Sequence, residues 1–421
     1  MHLLFLSTFY PPYELGGLDQ LCHEVREGLK QRGHHVTVLT SRYGTNEESN
    51  NEVDVLRQLY LQADLNYYRP GDFFLKRRRQ EQYNAQVLHA AIQRNRPDLL
   101  VVWNMWNLSR NLPYWAETWL PQRVAYYVAS TWLVEADAHL AYWQMPARHA
   151  LAELLYKGPL RALALAALCR EGYSPRLQLE HVMCVSQYIC DTLRQAKALP
   201  HDAGVLYNGI APEPFLRHAG RAELDTPDRL RLLYFGALLE IKGVHTAIEA
   251  LGILKERGLA DRIDLTLIGS GHPDYEARLH ALVVKYGLQN AVHFAGRIAH
   301  DRVPECLAHY DVYLFTSCGP EALARTVMEA MAAGLLVIGA ETGGQVEMFD
   351  NGENALTFKA EDANGLANHI ERALHEPDLR RKLALAGQQT VLERFTLDHM
   401  VDNVETWLES ILRENTTLKP I

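Results

Sequence analysis

Short apolar runs alternate with helical patterns along the whole chain of 421 residues. The runs are unbroken and rich in β-branched and aliphatic side chains, which is typical of parallel strands covered on both faces. Helices between such strands predict an α/β protein with two doubly wound sheets. The predicted strands are Leu3–Leu6, Val36–Leu39, Leu99–Val102, Val124–Val128 and Val182–Val185 in the first half, and Leu232–Phe235, Leu265–Ile268, Val292–Phe294, Val312–Phe315 and Leu335–Ile338 in the second.

A segment rich in proline, glycine and charge, around residues 207–231, separates the two halves. Such a composition marks a domain boundary. We therefore predict a first domain over 1–207, a linker over 208–230 and a second domain over 231–399. The last residues, about 400–421, predict a helix, and the sequence leaves open whether it packs back onto the first domain. Ligands of open α/β sheets bind beyond the carboxyl ends of the strands, so we expect the chemistry in a cleft between the domains.

Glycines follow several predicted strands, where the chain passes closest to a bound ligand. Gly16-Gly17 opens the first helix, Gly236 and Gly269 follow strands of the second half, and Lys242 precedes a helix there. Because glycine has no Cβ, its backbone N–H group can approach a phosphate closely, and a lysine side chain neutralises the charge of an anion. Each feature alone is as typical of a plain turn or a surface cap, but their repetition at successive strand ends favours a ligand site. The spacing is not G-x-G-x-x-G, so it does not indicate a dinucleotide fingerprint.

Two glutamates lie near the start of one predicted helix, in the sequence GPEALARTVMEAMAAG over 319–334. The helix is predicted from about Ala324 to Ala333, so Glu321 lies at its mouth and Glu329 within it. We expect Glu329 on the side that the apolar residues leave open. Carboxylates accept hydrogen bonds from hydroxyl groups. Two carboxylates at this spacing suit a ligand with two sets of hydroxyls, such as the ribose and the hexose of a nucleotide sugar.

Composition excludes several classes of function. The chain is 48% hydrophobic and 22% charged, and its net charge of −9 does not indicate nucleic-acid binding. Its six cysteines include no C-x-x-C pair, which argues against a zinc site and a disulfide framework. The absence of a signal peptide or a spanning run favours a cytoplasmic protein, with a peripheral contact at the inner face of a membrane left open. The basic run at 76–79 is more typical of a solvated helix face than of an anion site.

In its motifs the sequence resembles the retaining glycosyltransferases of family four, which have the GT-B fold. Glu321 and Glu329 match the E-x7-E signature of that family, and residues 329–334 match the EAMAAG that follows it. The resemblance implies two Rossmann-like domains that face a cleft, and a metal-independent hexosyl transfer with retention of anomeric configuration. Further matches follow in order: GG, RGHHVTVLT, VSQYICDTL and YNGI in the first half, then YFG…KGV, LIGSG, HFAGRI, DVYLFTS and ETGGQVEMFDNGENAL.

The resemblance also implies roles for individual residues. Glu329 would bind the ribose hydroxyls, Glu321 would face the transferred sugar, and Lys242 would neutralise the departing diphosphate, so catalysis is assigned to Glu321 and Lys242. Backbone amides at the helix N-terminus would hold sugar or phosphate, and glycines of the first domain would close over the diphosphate. The other donor-binding residues that the resemblance implies are Gly16, Gly17, Gly236, Gly269, Arg297, Ile298, Ala322, Leu323, Ala324 and Arg325.

Two positions of the second domain depart from the family pattern. Ala237 stands where the family commonly has arginine, so one of the expected phosphate-binding cations is missing from its usual place. Arg325 or a residue of the first domain are candidates to replace it. Ala324 stands where glycine is common, beside the sugar pocket.

The acceptor side is predicted in the first domain, which holds six of the seven tryptophans. Many family members have a His-Asp pair where this chain has Ser130 and Thr131, and no catalytic role carries over to Asp137 or His139. Core packing is the other interpretation of the tryptophans. The helix-rich insert over 138–169 is predicted either to wall the acceptor site or to rest on a membrane surface. The candidate acceptor residues are Trp103, Ser130, Trp132 and Asp137.

The combined prediction is an enzyme that moves a hexose from a nucleoside diphosphate sugar to a saccharide or small hydroxylated acceptor. A UDP-sugar is favoured as donor, and a GDP-sugar comes next. No metal, cofactor or nucleic acid is expected. Two alternatives stay open: a sugar-nucleotide epimerase or glycoside phosphorylase on the same fold, and a partner-dependent nucleotide-binding protein. The sequence does not identify the base, the hexose, the acceptor or the oligomeric state.

Overall fold

Two parallel β-sheets, one in each half of the chain, organise the computed structural model of this protein. The chain divides into two compact units: unit 2 is Tyr207–Met400, and unit 1 is Met1–Leu206 together with the chain from Val401 onward. The predicted α/β class with two doubly wound sheets is confirmed. The residues that the structure describes are 1–45, 52–147, 149–200, 202–217 and 229–417.

Unit 1 is built on parallel strands with helices between them. The strands are β1 (His2–Ser7), β2 (His35–Ser41), β3 (Val55–Leu59), β4 (Leu99–Asn104), β5 (Val124–Val128), β6 (His181–Cys184) and β7 (Gly204–Val205). Their order in the sheet is β3-β2-β1-β4-β5-β6-β7. The helices are α1 (Gly17–Gln31), α2 (Pro70–Leu75), α3 (Arg77–Asn95), α4 (Asn111–Trp119), α5 (Ala138–Gln144), α6 (Ala150–Ala152), α7 (Gly158–Arg170) and α8 (Gln187–Gln195), with a π-helical turn over Glu153–Lys157.

Unit 2 repeats the same plan with a smaller sheet. Its strands are β8 (Leu230–Phe235), β9 (Ile263–Ile268), β10 (Val292–Gly296), β11 (Val312–Phe315), β12 (Leu336–Ala340) and β13 (Leu356–Phe358). Their order is β10-β9-β8-β11-β12-β13. Helices cover the sheet, so its apolar runs are buried. The helices are α9 (Glu213–Leu216), α10 (Val244–Glu256), α11 (Pro273–Lys285), α12 (Val303–Leu307), α13 (Arg325–Ala332), α14 (Ala363–His375) and α15 (Pro377–Arg394); α16 (Leu397–Thr417) follows, and short 3₁₀ turns span Glu240–Lys242, Ala260–Arg262, His300–Arg302 and Gly343–Glu347.

All ten predicted strands are present, and three further strands were not predicted. Those three, β3, β7 and β13, each lie at an edge of a sheet. β3 alternates buried and half-buried positions, and β7 and β13 have only two and three residues. An edge strand needs fewer apolar residues than a central one, so it leaves a weaker signal in the sequence.

The segment predicted as a linker is partly folded into unit 2. Residues 208–217 include α9, and Ile210 pairs with the segment that precedes α16: its N–H donates to the carbonyl of Phe395 at 3.0 Å, and its carbonyl accepts from Leu397 at 2.7 Å. A Cβ at Gly209 would overlap the backbone of Thr396, so this pairing requires glycine there. The rest of the predicted linker, 218–228, lies outside the described residues.

From Val401 onward, α16 packs on α1 of unit 1. Gly28 of α1 leaves room for Val401, since a Cβ at that position would lie 2.7 Å from its side chain. Polar groups hold the rest of this interface: Arg32 pairs with Asp402 at 2.6 Å and with Glu405 at 2.7 Å, and His34 Nε2 lies 2.6 Å from Glu405. The hydrogen bonds from Arg32 and His34 lower the pKa of Glu405.

We predict that Glu405→Gln lowers the free energy of unfolding at neutral pH by about 1 kcal/mol, as expected for a partly exposed ion pair. The pKa of Glu405 is lower in the folded state, so its contribution is present above the ordinary value of 4.5 and is lost as pH falls through the lowered folded value. The difference from wild type should therefore shrink in acid. Denaturant titrations across this pH range measure it.

Glu409→Gln is the matched control, because Glu409 pairs only along the same helix with Arg413, at 2.9 Å. This control should lose less stability than Glu405→Gln. Equal losses for the two variants would show that the contacts of Glu405 with α1 add nothing.

Candidate functional site

The candidate site lies at the point in the unit 2 sheet where the strand order reverses. β8 and β11 are neighbours, whereas β9 and β10 extend the sheet on one side and β12 and β13 on the other. Ligands of open α/β sheets bind at such a switch point, beyond the carboxyl ends of the strands. The loops that follow β8 and β11 span 236–243 and 316–324, and they carry the predicted catalytic residues.

Hydrogen bonds join these two loops side by side. The Thr316 hydroxyl donates to the Lys242 carbonyl at 2.8 Å, and the N–H groups of Cys318 and Gly319 donate to the Ile241 carbonyl at 3.0 and 3.1 Å. Gly243 has φ of +62°, and a Cβ there would overlap the Thr316 carbonyl oxygen. Glycine is therefore required before α10 by the close approach of the two loops.

The joined loops bring the two predicted catalytic side chains into contact. Lys242 Nζ lies 2.6 Å from Glu321 Oε1, and the Ser317 hydroxyl donates to the same carboxylate oxygen. The side chains of Lys242 and Glu321 are 29% and 19% exposed, so the pair is reachable from solvent. An anion that binds Lys242 must compete with Glu321 for the ammonium group.

A third segment, at the start of the 3₁₀ turn over Gly343–Glu347, fixes the backbone of Glu321. The Gly344 N–H donates to the Glu321 carbonyl at 2.8 Å. Gly343 has φ of +56°, and a Cβ there would overlap the backbone of Glu321. The two glycines therefore hold Glu321 in place by close backbone packing.

The side chain of Gln345 is hydrogen-bonded to a backbone amide, that of Ala324, which the sequence analysis assigned to a ligand. Its side chain is fully buried, and its Oε1 accepts from the Ala324 N–H at 2.7 Å. The sequence did not identify this residue as part of the site. The segment ETGGQ, which ends at Gln345, is one of the motif matches and was the available signal. Gln345 was not singled out because its side chain carries no charge.

Helix α13 starts at Arg325, after Ala324, whose side chain provides no cap. Every residue from Val327 to Ala332 is buried, and Glu329 is only 4% exposed. The expectation that Glu329 lies on an open side of the helix is therefore wrong. Neighbouring elements cover the helix on all sides from Val327 onward, so Glu329 does not lie on a free side there.

Tyr313, the second residue of β11, links the end of β8 to α13. Its hydroxyl lies 2.9 Å from Thr326 Oγ1 and 3.2 Å from the Phe235 carbonyl. Burial raises the pKa of Tyr313, and the charges of Glu321 and Glu329 raise it further. Both carboxylates therefore raise the pKa of the same hydroxyl group. The sequence did not identify Tyr313 either.

The predicted glycines at the other strand ends have a packing role. The Gly236 N–H donates to the Ile268 carbonyl at 3.0 Å, and the Gly269 N–H donates to the Gly296 carbonyl at 2.8 Å. Gly269 has φ of +144°, and a Cβ there would overlap the Gly236 carbonyl oxygen. Neighbouring strand ends thus need glycine to approach one another, whether or not a ligand lies beside them.

The remaining donor-side residues of unit 2 lie on or near its surface. Ala237 is exposed, and its carbonyl accepts from the Tyr234 hydroxyl at 2.7 Å. Arg297 is exposed and Ile298 is half-buried; both follow β10, which β9 separates from β8. Ala322 and Leu323 lie in the loop between Glu321 and α13, half-buried and buried respectively.

Gly16 and Gly17 lie after β1, which borders β4 at the corresponding switch point of unit 1. Gly16 is exposed and has no atom within 4 Å of a hypothetical Cβ, so packing does not require glycine at this position. Asp19 connects the loop to the end of β4, since its carboxylate accepts from the Leu15 N–H at 3.1 Å and from Asn104 Nδ2 at 3.2 Å. Burial raises the pKa of Asp19.

The prediction of Trp103 as an acceptor residue is wrong. Trp103 lies inside β4, which continues to Asn104, and it is 1% exposed. Its ring packs in the core, with centroids 5.3 Å from Phe5 and 4.8 Å from Tyr127. The predicted strand ended at Val102, two residues before the end of β4, and that placed a core side chain beyond the strand.

Two of the other acceptor candidates line a cavity of about 210 Å³ in unit 1. Trp132 and Asp137 contribute to its wall with Trp106 and Arg110, whereas Ser130 is not among the lining residues. Asp137 caps α5, because its carboxylate accepts from the N–H groups of His139 and Leu140 at 3.1 and 3.0 Å. Its capping role is the structural alternative to a role in binding.

A larger cavity of about 400 Å³ lies on the other side of the segment 63–65, which lines both cavities. Tyrosines, arginines and neutral polar side chains dominate its wall. These groups offer ring faces and hydrogen bonds to a hydroxylated molecule. The residues that carry this chemistry are Arg42, Tyr43, Tyr60, Gln62, Tyr68 and Arg69.

We predict that Gly343→Ala lowers the free energy of unfolding by about 1–3 kcal/mol more than Gly352→Ala does, the range expected for overpacking. Both glycines have positive φ, +56° and +81°, so both substitutions strain the backbone. Only the Cβ at position 343 would overlap Glu321; position 352 has no atom within 4 Å. Denaturant titrations of the two variants measure the difference, and equal losses would show that the loop does not constrain Glu321.

Comparisons with known proteins cover both units. Residues 15–214 match the family described as Glycosyltransferase Family 4, and residues 220–390 match Glycosyl transferases group 1. A lipopolysaccharide core biosynthesis glycosyltransferase of Rhizobium meliloti is 33% identical over 183 residues, which are 43% of this chain and 51% of that protein. The glycogen synthase of Mycobacterium tuberculosis is 25% identical over 412 residues, 94% of this chain and 91% of the synthase. The chain spans about half the length of the first curated relatives that it matches.

Solved structures with the same architecture cover nearly the whole chain. A sucrose-phosphate synthase from Thermosynechococcus elongatus superposes with a TM-score of 0.71 at 20% identity, over 98% of this chain and 99% of that one. Anabaena HepE in complex with UDP and glucose superposes with a TM-score of 0.65 at 19% identity, over 97% of this chain and 100% of that one. The chain therefore belongs to the glycosyltransferases of the GT-B fold, with a family 4 first half and a group 1 second half.

Proposed function

We propose that the protein transfers a hexose from a nucleoside diphosphate sugar to a saccharide or small hydroxylated acceptor, with retention of anomeric configuration and without a metal ion. The observation that carries the proposal is the Lys242–Glu321 pair, 2.6 Å apart at the switch point of the unit 2 sheet. One member offers a cation for phosphate, and the other offers a carboxylate for sugar hydroxyls.

Donor binding is proposed to exchange partners within this pair. The diphosphate takes the Lys242 ammonium, and the released Glu321 carboxylate accepts hydrogen bonds from the hexose. The N-terminus of α13, which lacks a side-chain cap, favours negative charge at the same place. Glu329 is proposed to hold ribose hydroxyls at the buried end of the site, and Gly16 and Gly17 of unit 1 to lie against the diphosphate.

In the transfer step the bond between the anomeric carbon and the diphosphate oxygen breaks. The acceptor oxygen forms the new bond on the same face of the sugar, and its proton passes to the leaving diphosphate. Lys242 stabilises the negative charge that develops on the leaving group, and Glu321 stabilises positive charge on the sugar. Such fixed charges count most in a site that excludes water.

The comparisons support the choice of ligands to test. The Anabaena structure contains UDP and glucose, which makes UDP-glucose the first donor to examine, ahead of GDP-sugars. The R. meliloti relative is named for lipopolysaccharide core biosynthesis, and the M. tuberculosis relative is a glycogen synthase. Saccharide acceptors therefore take precedence over other hydroxylated molecules. We propose the 210 Å³ and 400 Å³ cavities of unit 1 as acceptor sites.

We predict that Glu321→Gln slows transfer roughly 100-fold or more, the cost of losing one charge-stabilising group. The same variant should bind UDP several-fold more tightly, because Lys242 loses its competing carboxylate. Lys242→Met should do the opposite and weaken UDP binding. Calorimetry with UDP and a radiolabelled transfer assay with UDP-glucose measure the two effects.

Glu240→Gln serves as the matched control, because Glu240 lies in the same loop and pairs with Arg278 instead. It should leave both measurements near wild type. Weaker UDP binding by Glu321→Gln would contradict the partner exchange. Donor turnover with phosphate or water alone, at the rate seen with acceptors, would favour a phosphorylase or an epimerase over a transferase.

We predict that Ala237→Arg increases the affinity for UDP several-fold, because it adds a cation where the resembling family commonly has one. Ala237 is exposed, so the longer side chain has room and the stability should change little. Ala281→Arg, at an exposed position of α11 in unit 2, controls for added charge in general. If the two variants bind UDP alike, the diphosphate does not lie beside position 237.

A further inference from the structure

An apolar surface of unit 1 is open to solvent. Its centre is the helical stretch over 150–170, formed by α6, the π-helical turn and α7. Leu151 and Leu154 are both 72% exposed, and Leu155 is 76% exposed. Soluble proteins rarely expose contiguous apolar side chains of this size without a partner. We call this region the apolar surface; its residues are Phe74, Leu75, Met145, Leu151, Leu154, Leu155, Tyr156 and Leu163.

Three charged side chains of this helical stretch have partners close by. Glu153 pairs with Arg161 at 2.6 Å and accepts from the Ala147 N–H at 2.6 Å. Lys157 Nζ lies 4.3 Å from the centre of the Tyr142 ring. These charged groups are paired or packed, whereas Leu151, Leu154, Leu155 and Leu163 face solvent.

The helix is not detached from the domain. Trp143, Ala164 and Leu168 form a small buried core with Phe73 of α2. Phe74 and Leu75 follow Phe73 directly, and the Phe74 ring centre lies 5.7 Å from that of Trp143. The exposed side chains of α2 and of the stretch 150–170 thus emerge around one core, and they form one surface with a rigid base.

Basic side chains border the apolar surface. Lys76, Arg78 and Arg79 follow Leu75 and are exposed, whereas Arg77 is buried and pairs with Glu171 at 2.6 Å. The expectation that the run 76–79 forms a solvated helix face therefore fails at Arg77. The ion pair of Arg77 ties the start of α3 to the end of α7. Asp72 pairs with Lys76 at 2.9 Å, Glu81 lies 3.5 Å from Arg77, and Glu171 lies 3.7 Å from Arg78 Nε. The four cations of the run thus exceed these three carboxylates by one charge, in a chain whose net charge is −9.

We infer that the apolar surface docks on a bilayer that contains anionic lipid, with the stretch 150–170 lying in the plane of the interface. Leucines beside exposed guanidinium and ammonium groups match acyl chains beside anionic headgroups. None of the described helices is long and apolar enough to span a bilayer. A protein partner would satisfy the leucines equally well, but it would not explain the row of cations beside them. The inference does not depend on the proposed transfer reaction.

Sedimentation with vesicles tests the inference. The full chain should bind vesicles of phosphatidylcholine mixed with phosphatidylglycerol more tightly than vesicles of phosphatidylcholine alone, and added salt should weaken the difference. The double variant Leu154→Gln and Leu155→Gln should lose roughly tenfold or more in binding to the mixed vesicles, because both side chains leave the acyl layer. The double variant Arg78→Gln and Arg79→Gln should lose only the preference for phosphatidylglycerol.

Leu385→Gln is the matched control, since Leu385 is 60% exposed and belongs to α15 of unit 2 and not to the apolar surface. It should bind vesicles as wild type does, and circular dichroism should show that every variant is folded. Equal vesicle binding by wild type and the leucine double variant would overturn the inference. So would a dimer, seen by light scattering, that the leucine substitutions dissociate in the absence of vesicles.

Discussion

The hydrogen bonds between the loops that follow β8 and β11 are the constraint on which the candidate site depends. They bring Lys242 and Glu321 into contact although 79 residues separate them in sequence. The resulting ion pair is partly exposed, and pairs of this kind stabilise a protein by only about 1 kcal/mol or less. A weak ion pair lets a bound anion compete with Glu321 for Lys242. Because hydrogen bonds hold the two loops together, the loop backbone keeps its position when Lys242 changes partner.

Two glycines allow the close backbone packing that holds the loops of the site in place. At Gly243 and Gly343 the backbone has positive φ and packs against Thr316 and Glu321, so both positions have a structural reason to be glycine. Gly16 differs, since nothing in its surroundings excludes a side chain. Among the predicted glycines, it is therefore the position where a ligand is the better explanation.

The sequence predicted the central strands and both sheets, because long buried runs leave strong local signals. It predicted the edge strand β10 but not the edge strands β3, β7 and β13, whose apolar runs are short or interrupted. It placed Trp103 beyond β4 and Glu329 on an open face, since burial by distant elements leaves no trace in local spacing. Gln345 and Tyr313 were missed for the same reason: their hydrogen bonds reach elements that are far away in the chain.

The environment of His139 bears on where the acceptor proton goes. His139 lies beside the larger cavity, but it is 3% exposed, and its Nδ1 lies 2.8 Å from the Tyr68 hydroxyl. Burial lowers its pKa to about 4, so it is neutral at physiological pH and a weak base. Asp137 is committed to capping α5. Neither side chain is poised to take a proton from a hydroxyl group, which favours the leaving diphosphate as the acceptor of that proton in the proposed reaction.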